Sequence, residues 1–434
     1  MSWPSEFNDW LPELNIKPVN RDARCILCKG FRMLCGKARC PVLIRFYSQI
    51  KVRTLINKVE IEGSSPPDIF VGRIGWPNVY AGPLIPPVIG DTSEMGTPER
   101  WKGKTIEEIV DFRSKLVRGK QRVNVNKTVG KVVDVIKELA LSKSSTEIEA
   151  KFTKRPSGTL VLDDEVQPFG PSAPIKEIRL SSVKTDQTIE KAFSDTDLKA
   201  EEAVLLLYSK GIFVSRIQKA FSAGILGLGK QRRLVPTRWS ITAVDDIISR
   251  NLIEDVKKFP TINEFRVYEH TALDNRWIVL MIPGFWSYEQ MEGWYPGTSW
   301  NPKGKNVWII SDWEGFKGRS TYAATGGCYY STRLAVGEKL VSEKRQATVI
   351  TFREIHPGYI LPVGVWHTRE SIREAVKKEP ATFNSLGESL AYIKSKLAVP
   401  LNKWVENSSL LKNLLYQKKI SEFLRLVENA SKRN

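Results

Sequence analysis

Four cysteines lie close enough together near the N-terminus to bind one metal ion. Cys25, Cys28, Cys35 and Cys40 have the spacing C-x2-C-x6-C-x4-C, and four thiolates complete the closed tetrahedral shell of structural zinc. The same ligands suit an iron–sulfur cluster, which is the alternative cofactor. The fifth cysteine, Cys328 in TGGCYY, is expected to be a small buried side chain rather than a nucleophile.

Basic side chains accompany these cysteines. Lys37 and Arg39 lie between the last two of them, where they could contact nucleic-acid phosphates. A zinc site can also simply replace the apolar core that a short segment cannot build. Both interpretations of the cysteine segment stay open.

A second basic segment, GILGLGKQRRLVPTRW, begins at Gly224. It fulfils G-x4-G-K, but Gln231 stands where a P-loop has a Ser or Thr for Mg²⁺, so nucleotide hydrolysis is not expected. We instead predict a flexible glycine turn that brings cations to phosphates and an aromatic ring to a base. An ordinary core position for the tryptophan is the alternative. The candidate nucleic-acid-binding residues here are Lys230, Arg232, Arg233, Arg238 and Trp239.

Two adjacent carboxylates, Asp245 and Asp246, follow this segment. Neighbouring acids beside phosphate-binding arginines are what a two-metal nuclease needs. If a helix begins near Val244, however, the same acids only complement its dipole.

All three histidines, His270, His356 and His367, occur in the C-terminal half. With Asp312 and Glu314 they could form a metal or acid–base site, since imidazole and carboxylate are common ligands. The sequence does not show that they converge, and whether the chain is an enzyme stays open.

The charge balance favours a polyanionic partner. The 434 residues include 66 Lys and Arg against 48 Asp and Glu, which gives a formal net charge of +18, and cations that neutralise phosphates release condensed counterions. No apolar run approaches the roughly 20 residues that span a bilayer, and residues 1–15 lack the basic start and apolar centre of a signal peptide. We expect a cytoplasmic, nucleoid-associated protein with no membrane partner.

The distribution of helix and strand signals indicates an α+β fold with two main domains. Capping boxes at Thr105 and Ser385 mark the starts of two helices. The first of these helices is expected to end at Gly119. Aromatic and β-branched runs after residue 258 indicate a mainly antiparallel sheet. The expected order is an N-terminal segment with the four-cysteine zinc knot (1–45), an α+β domain (46–257), a sheet-rich domain (258–400) and a helical or flexible tail (401–434).

Three blocks of sequence together resemble the archaeal Nre family of DNA-repair proteins. They are CILCKGFRMLCGKARCP, PPDIFVGRIGWPNVYAGPLIPP with GDTSEMGTPERW behind it, and RRLVPTRWSITAVDD. The resemblance spans most of the chain. It implies a part in the DNA-damage response and binding to the sliding clamp (PCNA), but no catalytic mechanism.

The tail contains a segment similar to clamp-binding peptides of the form Q-x-x-h-x-x-a-a. Gln417, Ile420, Phe423 and Leu424 fit that spacing, although Leu424 replaces the usual aromatic residue and ten residues follow it. The same apolar positions would form one face of an ordinary helix.

Three functions follow as hypotheses. The first is a DNA-repair protein recruited by the clamp, which binds DNA through basic surfaces. The second is a metal-dependent, nuclease-like enzyme acting on nucleic acid or nucleotides. The third is an RNA-binding housekeeping protein.

Overall fold

The computed structural model describes residues 27–28, 32–34, 39–40, 43–44, 56, 58–158 and 168–416. It contains two six-stranded sheets covered by helices, so the α+β architecture predicted from the sequence is confirmed. In these ranges, no helix is long and apolar enough to cross a membrane.

The first sheet lies in the N-terminal half. Its strands are β1 (Glu60–Ser65), β2 (Ile69–Val71), β3 (Asn78–Ile85), β4 (Val117–Asn124), β5 (Thr146–Phe152) and β6 (Ser172–Leu180). Their spatial order is β1-β5-β6-β4-β3-β2, and only the β4–β6 pair is parallel among these strands. In β5 the sequence TEIEAKF alternates buried and more exposed side chains, as a strand with one face on the core should.

Helices pack on this sheet and continue beyond it. They are α1 (Ile106–Ser114), α2 (Lys131–Leu141), α3 (Gln187–Ser194), α4 (Ala200–Ser209), α5 (Val214–Ser222) and α6 (Thr237–Val256). The capping box predicted at Thr105 and Glu108 is confirmed. The predicted closure at Gly119 is wrong, because α1 ends at Ser114 and Gly119 lies in β4. The close approach of β3 to this strand requires glycine at position 82, because a Cβ on Gly82 would lie 1.7 Å from the Gly119 carbonyl oxygen.

The second sheet lies in the C-terminal half. Its strands are β7 (Phe265–Ala272), β8 (Asn275–Ile282), β9 (Ser287–Trp294), β10 (Trp308–Glu314), β11 (Thr348–Ile355) and β12 (Ala381–Phe383). Their order is β10-β9-β11-β8-β7-β12, and β9–β11 is the parallel pair. The prediction of a mainly antiparallel sheet is therefore confirmed. Every side chain of β11 is buried, since the sheet is covered on both faces.

Five helices are described in this half. They are α7 (Gly327–Glu343), α8 (Trp366–Val376), α9 (Leu386–Lys396), α10 (Leu401–Asn407) and α11 (Ser409–Tyr416). Half of the capping box predicted at Ser385 is present at the start of α9. The Ser385 side chain accepts from the backbone N–H of Glu388, whereas the Glu388 carboxylate accepts from the backbone N–H of Asn384 instead of Ser385. α9 was expected from the sequence, whereas α7 was not.

The two halves meet along α6, which packs against α7. Val244 and Ile248 of α6 belong to the apolar cluster of the first half. Ile253 and Val256, two turns further on, belong to a cluster of the second half. α6 therefore packs in the cores of both halves. Side chains at its start lie where both halves can contribute to one surface.

Candidate nucleic-acid interface

Two exposed tryptophans from distant parts of the chain form a ring pair. Trp76 lies in the loop between β2 and β3, and Trp239 lies in the first turn of α6; their ring centroids are 5.1 Å apart. The backbone N–H of Val71 donates to Thr237 Oγ1 at 2.9 Å, which ties the start of the loop to the start of the helix. The tryptophans are 40% and 45% exposed, so Trp239 is not a core residue. Exposed rings of this kind let unpaired bases stack.

Trp239 borders a groove of about 530 Å³, which we call the aromatic groove. Both halves contribute to it. Tyr322, from the C-terminal half, is 59% exposed, and its ring centroid lies 5.6 Å from that of Tyr330 on α7. The groove therefore combines ring faces with cationic side chains. It is lined by Arg73, Arg238, Trp239, Thr242, Ala243, Asp246, Tyr322 and Tyr330.

Arg73 and Arg238 also line a neighbouring cavity of about 430 Å³, which we call the basic pocket. It is enclosed by β2, β3, β4, α5 and the start of α6. Its walls include the apolar side chains of Phe70, Phe169 and Ile241. The cationic side chains that line it are Arg73, Arg113, Arg118, Lys120, Lys219 and Arg238.

The glycine segment before α6 is a structural turn. Gly224 has φ +67°, and a Cβ there would lie 2.4 Å from the Arg233 carbonyl oxygen, so glycine is required. The Arg232 guanidinium donates to the carbonyl oxygens of Gly227, Phe193 and Asp195, at 2.7–2.8 Å. Arg232 therefore holds the turn together, whereas Lys230 and Arg233 are exposed. Neither of those two lines the aromatic groove or the basic pocket.

Asp245 and Asp246 point to different partners. Asp245 is fully buried and accepts from Arg369 of α8 and Gln218 of α5, both at 3.0 Å. Burial raises the pKa of Asp245 to about 6, and the Arg369 guanidinium opposes that rise. Asp246 pairs with Arg333 of α7 and accepts from Arg250 at 3.0 Å. α6 begins at Thr237, so these acids lie inside the helix rather than at its positive end. A two-metal site built from this pair has no support in these contacts.

The three histidines line one open cavity, of about 1280 Å³, between the two halves. His367 is buried and its Nε2 has no hydrogen-bond partner among the described residues, while His356 stacks on Tyr295 with ring centroids 4.4 Å apart. Burial lowers the pKa of both His270 and His367, so these imidazoles are neutral near pH 7.

Asp312 and Glu314 do not join the histidines. Asp312 accepts from Arg319 at 2.8 Å, and Glu314 accepts from Arg333 at 2.6 Å. Within the described ranges, no three His, Cys, Asp or Glu side chains are placed to hold a metal ion. The three histidines therefore line one cavity, but Asp312 and Glu314 do not join them in the metal or acid–base site that the sequence suggested.

The cysteine segment is described only in part. Cys25, Cys35 and Lys37 lie outside the described residues. Cys28 is buried, and its carbonyl oxygen accepts from the Arg32 backbone N–H at 3.1 Å. Arg39, predicted to face phosphates, forms an ion pair with Glu107 of α1.

Cys328 is buried, as expected, in the first turn of α7. It lines a small cavity of about 170 Å³ together with Trp294, Trp300 and Trp308. Its sulfur accepts from Arg353 Nη1 at 3.7 Å. Residues 285–300 are rich in aromatic side chains. Among them, Trp286 is buried in the core, whereas Trp294 and Trp300 line this cavity.

The predicted clamp-binding residues Gln417, Ile420, Phe423 and Leu424 lie outside the described residues. The helix that leads to them is firmly attached at its start. The buried Glu289 carboxylate of β9 accepts from Ser408 Oγ and from the backbone N–H groups of Ser409 and Leu410. At the other end of α11, Leu414, Leu415 and Tyr416 are 43%, 42% and 73% exposed.

Several members of the interface were not predicted from the sequence, namely Arg73, Trp76, Arg118, Lys120 and Tyr322. A signal was available for the first two, because GRIGWPNVY sets a cation and a tryptophan in a glycine- and proline-containing loop. Nothing in the sequence indicates that this loop meets the start of α6.

Comparison with known proteins gives matches along most of the chain. The family described as Archaeal Nre, N-terminal, matches residues 34–301, and that described as Archaeal Nre, C-terminal, matches residues 314–423. DNA repair protein NreB of Archaeoglobus fulgidus is 42% identical over 389 residues, covering 89% of this chain and 97% of that protein.

Two further relatives are more distant. DNA repair protein NreA of the same organism is 36% identical, covering 85% of this chain and 92% of that protein. DNA repair protein NreA of Haloferax volcanii is 35% identical, covering 78% and 83%. No solved structure matches the chain.

Proposed function

The chain belongs to the archaeal Nre family, and because its relatives are named DNA repair proteins, we propose that it acts in DNA repair by binding unpaired DNA. The interface is the aromatic groove together with the basic pocket. Recruitment to the sliding clamp, through residues 417–424, brings it to replicating or repaired DNA.

The observation that carries the DNA-binding proposal is the exposed Trp76–Trp239 pair beside Arg73 and Arg238. Two adjacent half-exposed aromatic rings beside a groove form a contiguous apolar patch, and such patches are typical of interaction sites. Every base has a ring face that can stack, and flanking cations follow the phosphates. Single-stranded or locally unpaired DNA therefore fits this surface better than an intact duplex.

Replacing Trp239 by Ala should weaken binding to single-stranded DNA by roughly 5- to 150-fold, since stacking contributes about 1–3 kcal/mol per base. Fluorescence anisotropy with a labelled oligonucleotide measures this. Trp313→Ala is the matched control, because Trp313 of β10 is 42% exposed but lines neither cavity. Equal affinities for the two variants would contradict the proposed interface.

Two arms of the same assay address the alternative functions. RNA of the same sequence should bind more weakly than DNA if the protein acts in DNA repair, whereas a strong RNA preference would favour the housekeeping hypothesis. Strand cleavage that appears only with Mg²⁺ or Mn²⁺ would favour the nuclease hypothesis.

We further propose that Cys25, Cys28, Cys35 and Cys40 hold a structural zinc ion, with an iron–sulfur cluster as the alternative. Four cysteines with short spacings form a suitable donor set. The buried position of Cys28 suits a ligand that water does not reach.

The purified protein should be colourless and contain about one zinc ion per chain. Cys28→Ser should lose that zinc, while Cys328→Ser should retain it, because Cys328 lies in α7 beside Arg353. Metal analysis by mass spectrometry checks both variants. A brown protein that contains iron would establish the cluster instead.

Clamp recruitment is supported by the position of the motif and by the exposed end of α11. Glu289 anchors the start of this helix, whereas Leu414, Leu415 and Tyr416 remain exposed just before Gln417. An exposed helix end directly before the motif suits a segment that a partner binds.

A further inference from the structure

We propose that the basic pocket binds the terminal phosphate of a DNA strand, a phosphomonoester, rather than an internal phosphodiester. This inference rests on the proposed DNA binding and names the part of the DNA that the pocket takes. The charges that line the pocket, and which of them are already paired, carry it.

Among the described residues that line the pocket, there is a single carboxylate, Asp68, and it is fully engaged. Asp68 accepts from Arg113 Nη1 at 2.5 Å and from the Ile69 backbone N–H at 3.0 Å, and it lies 3.5 Å from Lys219 Nζ. Asp68 and Arg113 are only 6% and 5% exposed. This pair therefore forms the buried far wall of the pocket and neutralises little of the remaining positive charge.

Arg118 is the cation that this arrangement leaves available. Its guanidinium carbon lies 3.6 Å from the ring centroid of Phe169 and 5.2 Å from that of Phe70. In the described part of the chain it has no carboxylate partner, and its buried Nε has no hydrogen-bond acceptor. A guanidinium held at its faces by rings presents its N–H groups edge-on, which is the geometry that binds a phosphate through two oxygens.

Lys120 stands beside Arg118 on the same face of β4 and faces the ring of Tyr80, 5.3 Å from its centroid. Burial lowers the pKa of Lys120, and the positive charges of Arg118 and Lys154 lower it further. Burial also lowers the pKa of Arg118, to about 10. Such mutual repulsion of neighbouring cations is relieved when an anion enters between them.

The shape of the pocket favours a strand end. A continuous strand must leave a site as well as enter it, but the far wall here is the buried Asp68–Arg113 pair. A terminal phosphate can enter as far as Arg118, while the nucleotides behind it run past Arg73 and Arg238 into the aromatic groove. A terminal phosphomonoester also carries nearly two negative charges at pH 7, against one for a phosphodiester.

The test compares four single-stranded oligonucleotides of one sequence, labelled internally: with a 5′-phosphate, with a 3′-phosphate, with hydroxyls at both ends, and circularised. One of the two phosphorylated strands should bind about tenfold tighter than the hydroxyl and circular strands, which corresponds to one additional charged hydrogen bond. The strand that binds tighter identifies the recognised end.

Arg118→Met should remove this preference without changing the melting temperature, since Met keeps an unbranched chain between the two rings. Arg122→Met is the matched control. It removes the same charge from the same face of β4, but Arg122 is exposed and lies outside the pocket. Arg118→Lys should keep part of the preference, because the charge remains without the planar fork.

The outcomes separate the two proposals. Equal binding of all four strands by the unaltered protein overturns the end-binding inference and leaves DNA binding by the aromatic groove intact. A phosphate preference that persists in folded Arg118→Met likewise overturns it. Failure to bind any of the strands overturns both the proposed function and the inference.

Discussion

Replacing Asp245 by Ala is expected to lower the free energy of unfolding by about 3–5 kcal/mol, because it leaves the buried Arg369 guanidinium without its nearest carboxylate. Arg369 is 1% exposed and Asp245 is fully buried, and their contact joins α8 to α6 across the two halves. Glu370 and Glu99 remain at 3.2 Å and 3.6 Å from Arg369, so we expect the lower end of this range. Urea denaturation followed by circular dichroism measures it.

Asp246→Ala provides the comparison, because the same side chain is removed one residue along the helix. Arg333, the partner of Asp246, keeps its ion pair with the buried Glu314 at 2.6 Å, so the expected cost is no more than about 2 kcal/mol. Equal costs at the two positions would show that Arg369 does not depend on Asp245.

This difference also bears on the nuclease hypothesis. Loss of activity in Asp245→Ala would be explained by lost stability alone, whereas Asp246 lines the aromatic groove and can be replaced at smaller cost. Only Asp246→Ala can therefore separate a catalytic carboxylate from a structural one.

Local signals in the sequence predicted several elements. The capping box at Thr105 and the side-chain cap at Ser385 place hydrogen-bond acceptors at helix starts, and this chemistry is complete within four residues. The β-branched runs after residue 258 likewise indicated strands, because alternation and composition are properties of the strand itself.

Elements that depend on distant partners were not predictable in this way. α7, with the sequence GCYYSTRLAVGEKLVSE, is buried around most of its circumference, so it lacks the polar stripe by which a surface helix is recognised. The parallel β9–β11 pair requires the crossover through α7, and so it was missed together with that helix.

The candidate interface shows the same limit. Arg238 and Trp239 were identified because they are adjacent in one basic segment. Arg73 and Trp76 come from the loop after β2, whose contact with α6 joins positions 166 residues apart. Asp245 and Asp246 were paired because they are adjacent. Successive side chains on a helix point in different directions, however, so the two neighbouring carboxylates of α6 face different partners.

The tail carries the other large prediction. Ile420→Ala combined with Phe423→Ala should weaken binding to the purified sliding clamp by more than about 100-fold, because each apolar anchor of such a peptide is expected to contribute about 2 kcal/mol or more. Isothermal titration calorimetry measures this affinity, and the melting temperature should not change.

Leu414→Ala with Leu415→Ala is the matched control. These leucines are exposed at the end of α11 but lie outside the Q-x-x-h-x-x-a-a spacing, so their replacement should leave clamp affinity nearly unchanged. If the Ile420 and Phe423 substitutions instead lower the melting temperature by several degrees and clamp binding persists, the segment is a packed helix rather than a clamp ligand.

A gain of affinity is the sharper test of the motif, because few unrelated effects can imitate it. The eighth position of the motif is Leu424, where clamp-binding peptides usually have an aromatic residue. Leu424→Phe should tighten binding, since an aromatic ring adds apolar contact in a hydrophobic pocket. The same change at Leu415 should have no effect on the clamp. Tighter binding at position 424 alone would fix the register of the peptide on the clamp, with Gln417 as its first residue, whereas no gain at either position would mean that Leu424 does not enter the pocket.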